Sequence, residues 1–155
     1  MKRLYALVFV VAFLLPFCSS GKQPQEMKLK DFFFYEEKDG KMIKRDSNVY
    51  HQGDVVKFYI EIVGFGYRKT DKGYEIRVAE ILKVYTSDGD LIHQREVVNT
   101  KTTLKELPPY LGFKTKFGLS KGVRIGLYRI EVDIVDGIGK TTLRIEKNIK
   151  VKGII

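Results

Sequence analysis

The sequence predicts an all-β domain, a sandwich of two sheets with seven to eight strands, on three observations. From residue 28 to residue 151 apolar residues recur at every second position, the period of a strand with one buried face. Asp-Gly turns separate these runs at hairpin spacing, and no segment of useful length carries helical periodicity. With no cysteine after position 18, no disulfide holds the domain, so burial and sheet hydrogen bonds must do so.

The first strand, 28–36, contains Phe32-Phe33-Phe34-Tyr35, which puts aromatics on both faces. Either both faces are covered or one seeks a partner. After the Lys38-Asp39-Gly40-Lys41 turn comes strand 41–45, then 54–63, where Val56, Phe58, Ile60 and Ile62 point inward and Lys57 and Glu61 outward. In 74–85 the pattern changes face near Ala79-Glu80, as a β-bulge or a strand switching sheets would write it. Ser87-Asp88-Gly89-Asp90 leads into strand 91–98. A long connection from Leu104 to Gly122 follows and includes a short run at 113–118. Strand 125–135 turns Tyr128, Ile130, Val132 and Ile134 inward and Arg129, Glu131 and Asp133 outward. Strand 141–151 closes the domain with Leu143, Ile145, Ile149 and Val151 on one face and Lys147 as the mismatch among them.

Residues 1–20 read as an export signal, 21–27 as a flexible tether and 28–155 as the domain. A basic start, Lys2-Arg3, precedes an apolar run from Leu4 to Phe17 of 14 residues. A membrane-spanning helix needs about 20 such residues, so an uncleaved anchor fits less well than a signal core. Cys18 after this run resembles the lipidated cysteine of bacterial lipoproteins; Leu15 fits that pattern and Phe17, where a small residue is usual, departs from it. Ordinary cleavage after Ser20 is the other reading. Both place the domain outside the cytoplasm, in the periplasm or at the cell surface, and the first anchors it to the membrane through its N-terminus.

The formal charge of +9 drops by two when Lys2 and Arg3 leave, and the remainder favours anionic partners. An exported chain does not meet nucleic acid. Lys and Arg alternate with Glu and Asp along the strands, as in Arg129, Glu131, Asp133 and Arg144, Glu146, which reads as a solvated face.

The segment from Gly126 to Asp136 (GLYRIEVDIVD), a turn, Lys140 and a closing strand resemble the last hairpin of bacterial immunoglobulin-like and fibronectin-type sandwiches. The resemblance implies that Tyr128 packs into a corner with its hydroxyl bonded to nearby backbone. It covers about 30 residues, concerns fold and not function, and departs from antibody-type domains in lacking Trp and an inter-sheet cysteine pair.

No catalytic, metal or cofactor site is expected. Gly137-Ile138-Gly139-Lys140-Thr141-Thr142 ends like a phosphate-binding loop, but it joins two strands and opens no helix. His51 and His93 have no ligand partners at zinc spacing and read as surface or turn residues, and Asp88-Gly89-Asp90 lacks the other oxygens of a calcium loop. Glu36-Glu37 reads as a solvated strand end, with nothing to split the two pKa values. The connection at 104–122 either caps the core with its aromatics or meets a partner. As a contact loop it offers Tyr110, Leu111, Phe113, Lys114, Lys116 and Phe117. The expected function is a non-catalytic binding or scaffolding module of the cell envelope, its partner an envelope protein or an anionic polysaccharide. The alternative is a small envelope enzyme, or an accessory subunit of one, with an unrecognised site.

Overall fold

The computed structural model describes residues 26–154, so Cys18, the signal segment and most of the tether lie outside the described residues. The described chain forms ten strands: β1 (Lys28–Lys38), β2 (Lys41–Lys44), β3 (Val49–His51), β4 (Val55–Val63), β5 (Arg68–Thr70), β6 (Gly73–Thr86), β7 (Leu91–Leu104), β8 (Leu111–Gly118), β9 (Gly126–Asp136) and β10 (Thr141–Lys152). They build two sheets. Sheet I runs β2-β1-β4-β8; sheet II runs β3-β10-β9-β6, with β5 against the start of β6 and β7 along its other side. All pairings are antiparallel except β3 with β10, a short strand too polar in its surroundings for the periodicity to mark.

The inward faces are those the alternation predicts. Val56, Phe58, Ile60 and Ile62 of β4 oppose Tyr128, Ile130, Val132 and Ile134 of β9, and all are buried. Each such side chain contributes roughly 1.5–3 kcal/mol on leaving water. The Asp39-Gly40 turn has positive φ at both central residues, 53° and 71°, the type I′ geometry that matches strand twist. The Asp136 carboxylate folds back over the β9–β10 turn. Its Oδ1 accepts from the N–H groups of Ile138 (2.9 Å) and Gly139 (2.8 Å), and its Oδ2 from that of Gly66, tying the β4–β5 connection to this hairpin. Tyr128 is buried at the start of β9 and donates its hydroxyl to the Arg124 carbonyl at 2.7 Å, the corner contact the resemblance implies.

Four expectations are corrected. Strand β6 does not change face at Ala79-Glu80. Ile76, Val78, Glu80, Leu82 and Val84 all point inward, and Glu80 is fully buried. The register shift opposite Glu80/Ile81 is real, but the extra residue is Val97 of β7. The Glu80 Oε1 accepts a 2.5 Å hydrogen bond from the Thr115 hydroxyl on β8, and its Oε2 has no partner among the described residues. Second, the outward carboxylates of β9 are not solvated. Lys83 reaches Glu131 (2.8 Å) and Asp133 (2.7 Å), Arg144 reaches Asp133 (2.8 Å), and the long side chains bury both acids. Third, β7 continues to Leu104 and β8 spans Leu111–Gly118, so the long connection is broken by a strand of 8 residues and the loop between β7 and β8 is short. Fourth, His93 is not a surface residue. Its ring stacks on Phe117 with centroids 6.4 Å apart, and its Nε2 is shielded without a partner.

Lys147, the mismatch of the last strand, lies half-buried with its Nζ 5.2 Å from the Phe32 ring. An aliphatic stem on the core edge and a cation over a ring face reconcile lysine with an inward position.

Candidate binding face

The outer face of sheet I gathers aromatic and basic side chains from strands far apart in the chain. Because Phe58 and Ile60 face inward, Tyr59 faces out, and the pairing register sets it between Phe33 of β1 and Lys114 of β8. The next outward row carries Lys57 beside Lys116, and Tyr35 pairs with Lys44 of β2. Phe33 and Tyr59 lie with ring centroids 5.3 Å apart. Lys44 Nζ sits 5.6 Å from the Phe33 ring, and Lys30 Nζ sits 3.9 Å over Tyr110, just before β8. A β-carbon on Gly112 would come within 2.3 Å of the Tyr59 hydroxyl. Glycine there lets Tyr59 lie flat across β8.

Two carboxylates of this face are engaged in ion pairs, while Asp31, opposite Glu61, is in none among the described residues. Lys30 pairs with Glu61 at 2.8 Å and Lys57 with Glu37 at 2.7 Å, and each hydrogen bond holds the acid below the usual carboxylate range. Burial pushes the hydroxyls of Tyr35 and Tyr59 up, and Tyr59 donates to Glu61 at 3.1 Å. Lys114 and Lys116 are exposed and have no ion-pair partner among the described residues. The face therefore presents rings bordered by exposed lysines outside any ion pair among the described residues.

Of the residues expected to form a contact loop, Tyr110 (38% exposed), Lys114 and Lys116 belong to this face. Phe113 (8%) and Phe117 (7%) do not: they alternate with the lysines on β8 and point into the core. Leu111 is half-buried beside them. Sequence reasoning missed Phe33, Tyr59, Lys30, Lys44 and Lys57. The signal for Phe33 was present in the doubled aromatics of the first strand, but nothing local names its neighbours.

The remaining candidates are apart from one another. Glu36 pairs with Arg45 while Glu37 pairs with Lys57, so the two acids do not share a site. His51 Nδ1 lies 3.9 Å from Asp54 in the turn before β4. Among the described residues no group of three His, Cys, Asp or Glu is placed to hold a metal ion, and no helix is long and apolar enough to cross a membrane.

No family model and no curated protein matches the chain. Solved structures do. The chain is similar to the C-terminal domain of wzt at 13% identity, over 83% of this chain and 75% of that one, with a TM-score of 0.53. It is also similar to Spo0M, a sporulation control protein from Bacillus subtilis (17% identity, 81% of this chain and 49% of that one, TM-score 0.47). An immunoglobulin-like protein from Pseudomonas aeruginosa aligns at 16% identity over 85% of this chain and all of that one, with a TM-score of 0.46. At such identities the likeness is one of fold.

Proposed function

We propose that the protein is an exported module, tethered to the membrane through Cys18, that binds an acidic polysaccharide of the cell envelope and catalyses no reaction. The observation that carries the reading is the outer face of sheet I, where Phe33, Tyr59 and Tyr110 lie among Lys114 and Lys116, two exposed cations in no ion pair among the described residues. Flat rings accept the apolar C–H faces of sugars, and unpaired lysines supply attraction to carboxylated units along an extended polymer. A sheet face suits a long chain better than a small substrate, which needs a concave pocket with convergent polar groups.

Titration of the protein with polygalacturonate, with neutral dextran as control, tests this. Phe33→Ser and Tyr110→Ser are expected to weaken polygalacturonate binding at least ten-fold with melting unchanged within a few degrees, and raised salt is expected to weaken it further. Equal retention of polygalacturonate and dextran, or binding indifferent to both substitutions, would overturn the reading. Capture of an acidic envelope protein by the same face, with no polysaccharide bound, would reassign its partner.

A further inference from the structure

On one side the sandwich is open. β8 is the last strand of sheet I and β7 the last on the same side of sheet II. Two cavities run along the seam between them. One of about 260 Å³ is lined by Ile76, Val78, Val98, Leu111 and Phe113, with Thr100 and Lys114 at its rim. The other, about 200 Å³, is lined by Val84, Ile92, His93, Phe117, Leu119 and Val123. Together they follow β8 from Leu111 to beyond Gly118, a full strand length.

The free edge of β8 is also polar in a specific way. Leu119 N–H donates to Asp54 O at 2.8 Å, so by alternation the odd residues of β8 bond to β4, and the main-chain groups of Gly112, Lys114, Lys116 and Gly118 point outward. One of these has found a substitute for a neighbouring strand. The Arg95 guanidinium reaches across from β7 and donates to the Lys116 carbonyl at 2.5 Å. An arginine thus makes the hydrogen bond that a strand N–H would make.

The geometry points to strand addition: β8 accepts an extended peptide as a fifth strand of sheet I, and that peptide alternates apolar and acidic residues. Its inward side chains would enter the two cavities, and its outward ones would stand beside Lys114 and Lys116, where acids are favoured across a strand pair. The same lysines argue against a second copy, because pairing β8 with its own twin sets like charges opposite one another. An acyl chain would fill the cavities but leave the outward N–H groups of Lys114 and Gly118 unpaired. This site shares Lys114 and Lys116 with the aromatic face, but its cavities and free strand edge lie apart from the rings and do not rest on the polysaccharide reading.

The test uses ¹⁵N-labelled full-length protein and two synthetic eight-residue peptides, one alternating Val and Glu, the other Val and Lys. The Val-Glu peptide is expected to bind at least ten-fold more tightly and to slow amide exchange at Lys114 and Gly118 at least ten-fold. Lys114→Glu with Lys116→Glu should reverse the preference between peptides, and Lys114→Pro, which removes an edge N–H, should weaken both. Phe33→Ser should leave peptide binding within two-fold. Unslowed edge amides, or peptides bound alike by parent and charge-reversed protein, would overturn the proposal. So would decanoate shifting the cavity methyls while peptides bind nowhere, or a dimer that protects the same amides without peptide.

Discussion

At the scale of single residues, the core holds polar groups whose costs differ in sign. Tyr128 has a partner for its hydroxyl and Tyr50 has none among the described residues; burial pushes the Tyr50 hydroxyl up to about 12. Tyr128→Phe is expected to lose about 1 kcal/mol, the net value of one hydrogen bond, and Tyr128→Ala about 3–5 kcal/mol. Tyr50→Phe should be neutral or stabilising in the same urea titrations, because it removes a buried group that bonds to nothing. Glu80 adds a pH dependence. Burial raises its pKa despite the Thr115 hydrogen bond and the nearby Arg95, so between the ordinary carboxyl value and the raised one the native state holds a proton the unfolded chain has lost. Stability from this group is complete below the ordinary value and falls as pH rises through the raised one. Glu80→Gln should flatten that fall and, above it, exceed the parent by about 1–3 kcal/mol. A parent and variant with parallel stability curves from pH 4 to pH 8 would show that Glu80 carries no such burden.

At the scale of elements, Asp136 and β8 each do work that their sequences announce incompletely. The Asp136-Gly137 turn is legible because Asp and Gly accept the backbone a hairpin needs. That its carboxylate also holds Gly66, 70 positions away, is not. Asp136→Asn keeps the Oδ1 acceptor for the turn but weakens the tie to Gly66, so hydrogen exchange should quicken at residues 64–67 while the β9–β10 ladder stays protected. Equal protection in both would detach the loop from this contact. In β8 the alternation of Phe113, Thr115 and Phe117 with Lys114 and Lys116 is a plain half-buried strand pattern. The length of the 104–122 connection and its aromatics beside lysines suggested a contact loop as the alternative to capping the core, and Phe113 and Phe117 lie in the core.

At the scale of the whole molecule, the described chain is a sandwich with an open side between β7 and β8, carrying charge that its own acids do not neutralise. On sheet II, Lys83, Arg129 and Arg144 bury Glu131 and Asp133, while on sheet I the exposed Lys114 and Lys116 border the rings of Phe33 and Tyr59. That combination of rings and lysines is why binding is assigned to sheet I. Tethering belongs to this scale as well, since it sets where the faces meet their surroundings. If Cys18 carries the anchor, the protein should partition into detergent and take up labelled palmitate, and Cys18→Ala should abolish both. Labelling that survives the substitution would place cleavage elsewhere and free the domain from the membrane.

The sequence by itself determined the strand class, most strand positions, the hairpin turns and the inward sets of β4 and β9, which follow from side-chain alternation and turn chemistry acting over a few residues. The corner role of Tyr128 came from the resemblance to immunoglobulin-like sandwiches. Only the tertiary structure decided that Phe33, Tyr59 and Lys114 share a row, that Glu80 faces inward unpaired, and that β7 and β8 border an open seam. Such neighbours come from pairings between segments tens of residues apart, and a strand's own period says which face a side chain takes but not which strand will lie beside it.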